Sequence, residues 1–221
     1  MVKRATAAPA AAATARRETY RHGDLRRALL DAGVALAREG GPDAVVLREA
    51  TRRAGVAPNA AYRHFANHQA LFDAVRMHAL GALAAAIERE WARALKVRDP
   101  KARARALLRA VGTGYLGFAQ AETGLFRTAF VFGEHDVEVP PDPARAAALG
   151  LNPFELLGAA LDALVDTGAL PADRRPGAEY LAWSAVHGLA LLIIDGPLRA
   201  APAKARRALG ERLLRMVELG L

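Results

Sequence analysis

Four polar side chains that can contact nucleic acid lie close together in GVAPNAAYRHF, residues 55–65. Asn59 offers the paired donor and acceptor that recognise adenine, and Arg63 can donate two parallel hydrogen bonds to guanine or reach a phosphate. Tyr62 and His64 offer a hydroxyl and an imidazole to the DNA backbone. The same cluster could instead be a packed corner of the fold or an ordinary solvated surface. The elements that position it decide between these alternatives.

The sequence around this cluster predicts two short helices separated by a turn. Leu47, Ala50 and Ala54 form one apolar helical face, and Pro58 is well placed to begin a second helix over about residues 58–64. Gly55 can adopt positive φ in the turn. This pattern is typical of a helix-turn-helix, although hairpins of this kind also occur as plain packing units. Val56 and Phe65 are assigned to packing.

An amphipathic helix precedes this pair and completes a three-helix unit. Its apolar residues recur at helical spacing, and Gly40 and Gly41 end it; these apolar residues are Leu25, Leu29, Ala32 and Leu36. Residues 1–19 have the composition of a disordered basic tail without the leucine-rich segment of a signal peptide. We therefore expect a DNA-binding domain over residues 20–67.

The rest of the chain, residues 68–221, predicts a larger helical domain and an all-α protein. We expect a long helix over about 68–96, a second helix from Pro100 and a short helix in GLFRTAFVF. The segment GEHDVEVPPDP that follows is expected to be a loop. Further helices are expected from Asn152-Pro153 to Thr167, at about 177–195 and at about 201–219. The stretch AEYLAWSAVHGLALLII is apolar almost all round, which indicates burial by another element or a second subunit.

Composition excludes several classes of protein. The 221 residues contain no cysteine, which excludes disulfides, thiolate zinc sites and cysteine nucleophiles and fits the cytoplasm. LALLII at 189–194 is too short to cross a membrane. Residues 1–76 hold 13 Lys and Arg against 7 Asp and Glu, whereas the remainder holds 18 against 16. A local basic excess fits a polyanion partner or a solvated basic surface equally well.

The arm, the first helix and LREATRRAGVAPNAAYRHFANHQALFDAV together resemble the TetR family of bacterial transcriptional regulators over about residues 20–76. More weakly, Trp183, His187 and Gly188 resemble the Trp-His-Gly signature of one C-terminal subgroup. The resemblance implies a homodimer that places the helix of about residues 58–64 from each subunit in successive major grooves of a palindromic operator. It also implies a repressor that a small molecule releases.

The resemblance and the chemistry of the residues together assign two sets of side chains. The DNA-binding set is Arg16, Arg17, Arg21, Arg48, Arg52, Asn59, Tyr62, Arg63, His64 and His68. The large side chains available to line a pocket for a small apolar or aromatic ligand are Tyr115, Phe118, Phe126, Phe130, Trp183 and His187. Such side chains belong to the core more often than to a pocket, so the core is the favoured alternative for each one. His187 could equally lie in a dimer interface formed by the last two helices.

Three positions depart from the family pattern. Thr51 replaces the usual alanine, Ala57 a frequent capping serine or threonine, and His68 a common lysine. Loss of the cap at Ala57 is expected to cost about 0.5–2 kcal/mol of helix stability unless another group satisfies the free amides. A histidine at position 68 contacts a phosphate strongly only when it is protonated.

Three alternatives to a sequence-specific regulator remain at this point. An enzyme would need convergent catalytic groups, but His64 and His68 fall on separate elements and EHD at 134–136 on a loop. No nucleophile elbow, phosphate loop or zinc-protease motif is present, so neither a cofactor nor a metal is expected. A helical ligand-binding protein would lack DNA binding. A nonspecific architectural DNA binder would not need 145 residues of nearly balanced charge.

Overall fold

The computed structural model describes residues 22–131 and 143–221. Arg16, Arg17 and Arg21 lie outside these ranges, as does EHD at 134–136. All regular secondary structure in the described ranges is helical, which confirms the all-α prediction. In chain order the α-helices are α1 (His22–Gly40), α2 (Leu47–Ala54), α3 (Pro58–Ala61), α4 (His68–Ala94), α5 (Pro100–Ala121), α6 (Thr123–Ala129), α7 (Pro153–Asp166), α8 (Ala178–Ile194) and α9 (Ala203–Gly220).

The helices α1, α2 and α3 form a small N-terminal head. Leu29 on α1, Ala50 on α2 and Ala61 on α3 are fully buried, and Phe65 closes the same core at 2% exposure. The two alanines carry the smallest side chains that still bury apolar surface, so the helices approach closely. As a result, Ala61 and Phe65 face inward, whereas Asn59, Tyr62 and Arg63 face solvent.

The turn between α2 and α3 has the geometry that the sequence predicts. Gly55 ends α2 with φ 66°. Its N–H donates to the Arg52 carbonyl at 3.3 Å, and the Val56 N–H donates to the Thr51 carbonyl at 3.1 Å. These two bonds make a Schellman motif, in which a left-handed residue satisfies the last carbonyls of a helix. Glycine suits the position because it has no Cβ to strain the left-handed backbone.

The helix α3 is shorter than the sequence predicts. Its α-helical residues end at Ala61, and residues 62–64 form a turn rather than continuing the helix. The N–H groups of His64 and Phe65 both donate to the Ala61 carbonyl at 2.9 Å. This turn brings the Phe65 ring into the core before Asn67 caps α4, its side-chain oxygen accepting from the Ala70 N–H at 2.8 Å.

The helix α4 connects the head to the rest of the chain. Its 27 residues span about 40 Å at the usual rise per residue, as predicted. By length and composition α4 could cross a membrane, a feature that inspection of LALLII alone had missed. More than half of its most apolar window is buried, and α4 packs against α1, α5, α6 and α7. Such burial is expected of the central helix of a protein core.

The helices α5 to α9 complete the C-terminal domain: α5, α6 and α7 pack against α4, and α8 and α9 pack against α5 and each other. Asp99 caps α5 by accepting from the Ala102 N–H at 2.7 Å. Asn152 and Glu155 form a capping box at the start of α7, and Gly168 follows its end with φ 65°. The predicted bounds of α7, α8 and α9 agree with the structure within two residues because these starts and stops are encoded locally.

Candidate nucleic-acid interface and ligand cavity

Three of the polar residues around α3 are exposed together on one surface of the head. Tyr62 is 57% exposed, and Asn59 and Arg63 are exposed as well, whereas His64 is half-buried. Ala57 provides no side-chain cap for α3; instead its carbonyl accepts from the Ala60 N–H at 2.9 Å. The head therefore presents an amide, a phenol and a guanidinium on a short element fixed by the core beneath it.

The arginines of α2 differ in their surroundings. Arg52 is bound to Glu49 by two hydrogen bonds of 2.8 and 2.6 Å, while Arg53 is bound to Glu39 by two bonds of 2.7 and 2.5 Å. The hydrogen bond from Arg52 lowers the pKa of Glu49 to about 2, so this carboxylate stays charged at neutral pH. Arg48 is exposed and forms no ion pair with another residue of the described ranges. Arg48 is therefore the arginine of α2 most open to an external anion.

Two of the three unusual positions make contacts inside the head. Thr51 is 2% exposed, and its hydroxyl donates to the Arg48 carbonyl at 2.7 Å, so the buried oxygen is satisfied. The Nε2 atom of His68 lies 2.6 Å from the Val45 carbonyl, and its ring stacks near Phe72. Since a carbonyl only accepts, Nε2 carries the proton. His68 thus ties the start of α4 to the residues that precede α2.

The C-terminal domain contains a cavity of about 390 Å³ bounded by α4, α5, α7, α8 and α9. Tyr115, Phe130 and Trp183, which the sequence suggested as pocket residues, line it. Among the described residues, Phe118, Phe126 and His187 are not part of its wall. Phe118 and Phe126 are buried in the core at 5% and 1% exposure. The volume lies in the usual range of small-molecule sites.

Tyr115 connects the cavity to His187 through hydrogen bonds. The Trp183 Nε1–H donates to the Tyr115 hydroxyl at 3.1 Å, and this hydroxyl lies 2.7 Å from His187 Nδ1. Burial lowers the pKa of His187 and raises the pKa of Tyr115. A neutral His187 that accepts at Nδ1 and a neutral Tyr115 that donates to it satisfy both groups. The Tyr115 ring also packs edge-on against Phe126 at 5.4 Å between ring centroids.

Charged residues in the cavity wall were missed by sequence reasoning. Arg76, Arg109, Arg145 and Glu218 all line it, and Arg76 is only 9% exposed. In a sequence, an isolated arginine in a helix usually indicates a solvated surface. No local pattern distinguishes these arginines from the exposed ones, because the helices that bring them together are distant in sequence.

The head contacts the C-terminal domain through α6. A Cβ added at Gly124 would lie 2.1 Å from the Ala37 carbonyl oxygen, so the first turn of α6 touches the backbone of α1 directly. Arg38 of α1 also donates to Glu122 at 3.0 Å, just before α6 begins. At the other end of α6, Arg127 pairs with Asp195 at the end of α8. The helix α6 therefore bridges the head and the helices of the cavity.

Large apolar side chains on α8 and α9 are exposed to solvent. On α8 they are Leu181, Leu191 and Leu192, at 63%, 41% and 46% exposure. On α9 they are Met216 and Leu219, at 60% and 78%. Clusters of exposed large apolar side chains are often found where proteins associate.

The described residues contain no group of three or more histidine, cysteine or acidic side chains arranged to hold a metal ion. His64 and His68, four residues apart, are separated by the turn and the start of α4. Within the described ranges, the surface around α3 is therefore the candidate site for a nucleic acid, and the arginine-containing cavity is the candidate site for a small molecule.

Two protein-family models match the chain. One, described as "Bacterial regulatory proteins, tetR family", matches residues 29–75, which cover most of the head. The other, "Tetracyclin repressor-like, C-terminal domain", matches residues 108–217. The Trp-His-Gly subgroup stays a prediction. A search of curated protein sequences found no significant match.

Solved structures share the fold across most of the chain. "Structure of a protein with unknown function from Rhodococcus sp. RHA1" is 26% identical, covers 90% of this chain and 97% of that chain, and has a TM-score of 0.66. The TetR family regulator PfmR from Thermus thermophilus is 23% identical, with coverages of 85% and 97% and a TM-score of 0.51. FadR from Bacillus subtilis, solved with stearoyl-CoA, is 14% identical, with coverages of 88% and 98% and a TM-score of 0.54.

The two matched family models follow one another along the chain, and each coincides with one part of the structure. The first covers the helix-turn-helix head and the second covers most of the helices around the cavity. The chain therefore belongs to the TetR family of bacterial DNA-binding transcriptional regulators.

Proposed function

We propose that this regulator represses transcription by binding a palindromic operator as a homodimer, and that a small molecule in the cavity of the C-terminal domain releases it. The DNA-binding domain would span residues 20–67 and the ligand-binding and dimerisation domain residues 68–221. The observation that carries the proposal is the joint exposure of Asn59, Tyr62 and Arg63 above a buried core. A regulator of this kind acts in the cytoplasm.

In this proposal the residues around α3 enter a major groove. Asn59 reads an adenine and Arg63 reads a guanine or grips a phosphate. The Tyr62 hydroxyl donates to the DNA backbone, and the half-buried His64 lies at the edge of the contact. Arg63 is exposed and carries a rigid fork of donors, so it can form two parallel hydrogen bonds with a guanine or a phosphate.

A second set of residues adds attraction that does not depend on sequence. Arg16, Arg17 and Arg21 form the basic arm of this proposal, and Arg48 contacts phosphate from α2. Arg52 contributes once DNA phosphate competes with Glu49 for its guanidinium. The Nε2 of His68 is bonded to the Val45 carbonyl, so only Nδ1 is left to contact a phosphate. Because a phosphate oxygen accepts, this contact needs a proton on Nδ1 as well, that is, a positively charged ring.

The dimer of this proposal forms through α8 and α9. Their exposed apolar side chains give each subunit a surface that a second copy can cover under two-fold symmetry. Two heads held at a fixed separation then fit two half-sites about one helical turn of DNA apart. A variant carrying Leu192→Glu would introduce like charges into this contact, and it should sediment as a monomer. The matched variant Leu95→Glu makes the same change at an exposed leucine that follows α4, outside α8 and α9, and it should remain a dimer.

The ligand of this proposal acts on the head through α6. Tyr115, Phe130 and Trp183 supply the aromatic wall. Phe126 and His187 contact the Tyr115 side chain from outside the cavity, and Phe118 belongs to the core. A ligand that favours one position of α6 changes the position of α1 through the backbone contact at Gly124. Ligand binding and operator binding are then coupled reciprocally, since each shifts the same two-state element.

Selection of bound sequences from random DNA by the full-length protein tests the DNA-binding part of the proposal. A palindrome with two half-sites is expected for the wild type. A variant with Asn59→Ala and Arg63→Ala should enrich no such sequence, while the matched variant Arg89→Gln, which changes an exposed arginine on α4, should enrich the wild-type palindrome. No enrichment by the wild type even at low salt would favour a ligand-binding protein or an enzyme instead. Enrichment without half-sites would favour an architectural DNA binder.

A further inference from the structure

We propose that the cavity of the C-terminal domain takes an anionic ligand: a small molecule with an apolar body and a single acidic group. This inference rests on the proposed ligand-binding role of the cavity and adds the chemical class of the ligand. Its basis is the set of polar groups in the cavity wall that remain available to a ligand once internal hydrogen bonds are accounted for.

Most of the cavity wall is apolar and fits an apolar body. Leu80, Leu108 and Val111 contribute aliphatic surface from α4 and α5, and Phe130 and Trp183 contribute aromatic rings. The two rings lie 6.1 Å apart between centroids, so they form a continuous aromatic corner. Burial of an apolar ligand against this surface is favourable but does not select its charge.

The hydrogen-bond acceptors in the wall are already engaged. The Tyr115 hydroxyl accepts from Trp183 and is bonded to His187, and the Asn152 side-chain oxygen accepts from two backbone N–H groups of α7. The Glu218 carboxylate is bound to Arg109 at 2.5 Å. These contacts leave a ligand few acceptors to which it could donate hydrogen bonds.

The donor groups of the wall are mainly cationic. The Nε of Arg145 contacts the Met77 sulfur at 2.8 Å, and a thioether is only a weak acceptor. Within residues 22–131 and 143–221, no carboxylate lies within ion-pair distance of Arg145. Arg76 also lines the wall, where it donates from Nη1 to the Val131 carbonyl at 3.1 Å. Arg109 and Glu218 bind each other, so Arg145 is the lining charge on which the inference rests.

Arg145 is held over the cavity by two attachments of one segment to α4. We call residues 143–149 the strap. A Cβ added at Gly81 would lie 2.5 Å from the Ala144 carbonyl oxygen, so the strap rests directly on the α4 backbone. The Glu88 carboxylate accepts from the N–H groups of Ala148 and Leu149 at 3.0 and 2.8 Å. The guanidinium of Arg145 is thereby positioned before any ligand arrives.

A positioned, half-buried guanidinium favours an anion over a neutral group. The guanidinium loses part of its hydration in the fold. A hydrogen bond to an anionic acceptor compensates for this loss better than a hydrogen bond to a neutral acceptor does. The planar fork of Arg145 also matches the two oxygens of a carboxylate or sulfonate. A neutral ligand of the same shape would contact the apolar wall and leave Arg145 without a counter-charge among the described residues.

The test compares two dyes that differ in one charge. Anilinonaphthalene sulfonate and its uncharged counterpart N-phenylnaphthylamine both fluoresce in apolar sites, and both are titrated into the full-length protein. The wild type should bind the sulfonate at least about tenfold more tightly than the neutral dye. Arg145→Gln should remove most of this preference and leave neutral-dye affinity unchanged, whereas Arg145→Lys should retain part of it. Arg89→Gln, which removes an exposed charge elsewhere on α4, should behave as wild type.

The outcomes separate this inference from the proposed function. Equal affinity for the two dyes, or an equal loss for both in Arg145→Gln, overturns the anionic ligand while leaving a ligand-responsive regulator intact. Failure of the wild type to bind either dye saturably overturns the anionic ligand and the use of this cavity together. A mobility shift with the selected operator, run in parallel, reports DNA binding independently. Release of that operator by the sulfonate and not by the neutral dye supports the inference.

Discussion

In the head, Asn59, Tyr62 and Arg63 are exposed above a core of small and apolar residues, whereas in the C-terminal domain Arg76 and Arg145 line an internal cavity. The head presents its polar groups outward on one short, local stretch of chain. The C-terminal domain assembles its polar groups inward from helices that are distant in sequence. A contact surface therefore depends on local backbone geometry, while a cavity depends on long-range packing.

The largest expected effect separates support from contact within the head. Phe65→Ala should destabilise the protein by about 3–5 kcal/mol, because it removes a nearly fully buried ring from a small core. Tyr62→Ala, at an exposed neighbouring site, should change the free energy of unfolding by less than about 0.5 kcal/mol and still weaken DNA binding. Denaturant unfolding together with a mobility shift measures both. A large loss of stability in Tyr62→Ala would assign its ring to the core.

The next effect concerns the contact between the two regions. Gly124→Ala places a Cβ against the Ala37 carbonyl, where no flexible side chain can give way, and should cost about 1–3 kcal/mol of stability. The matched change Gly117→Ala on α5, where a Cβ meets nothing within 4 Å, should stabilise by about 0.5–1 kcal/mol. Thermal unfolding of the two variants checks the difference. Equal stabilities would mean that α6 and α1 are not in direct contact.

An effect of similar size distinguishes base recognition by the head from ligand binding in the cavity. Asn59→Ala should cost about 1–3 kcal/mol of binding to the selected operator and relax selection at one position of each half-site. Its affinity for the sulfonate dye should not change, because Asn59 lies on α3 of the head and does not line the cavity. Quantitative mobility shifts and dye titration measure the two properties. If Asn59→Ala also weakened dye binding, the head and the cavity would be coupled more strongly than the contacts of α6 explain.

The two arginines of α2 should differ in their effect on salt dependence. Arg48→Ala should reduce the slope of log affinity against log salt by about 1, because it removes one phosphate contact. Arg52→Ala should reduce the slope less, since Glu49 already binds that guanidinium. Affinities at four or more salt concentrations measure both slopes. Equal reductions would indicate that the Arg52–Glu49 pair opens when DNA binds.

The smallest effect is the pH dependence of stability from His187. Burial lowers the pKa of His187 in the fold, so the unfolded chain takes up this proton first as pH falls. Well above the ordinary histidine pKa of about 6.5, His187 is neutral in both states and does not make stability depend on pH. Below that pKa, stability falls as pH falls, because the unfolded chain binds the proton more readily than the folded chain. His187→Asn should make the melting temperature fall less steeply as pH is lowered through that range. A smaller decline should remain, because burial also lowers the pKa of His78. An unchanged profile would place the titrating group elsewhere.

The sequence predicted the helices well because their limits depend on nearby residues. Asn67, Asp99 and Asn152 cap helices, and Gly55 and Gly168 end them, each through bonds within a few positions. The extent of α3 was wrong because the helical pattern of residues 58–64 does not reveal that Phe65 must turn into the core. Helical propensity is a weak constraint when a buried ring fixes the following turn.

The cavity was only partly predictable. Tyr115 and His187 are 72 positions apart, and Arg145 and Met77 are 68 apart, so no local spacing reports that they meet. The aromatic residues were identified as a group, but which rings face the cavity depends on packing. Phe126 touches the Tyr115 ring from the core side and Phe130 meets it beside the cavity. The arginines were missed because their type suggests a solvated surface.

The attachment of the strap at Gly81 and Glu88 has a consequence for how such a protein can diversify. Both attachments use backbone atoms of the strap, a carbonyl and two N–H groups, so they place little demand on its side chains. The residue at position 145 can therefore be substituted while the backbone attachments at Gly81 and Glu88 are kept. Substitutions in the strap could therefore change which ligand the cavity binds without changes to the core of the C-terminal domain.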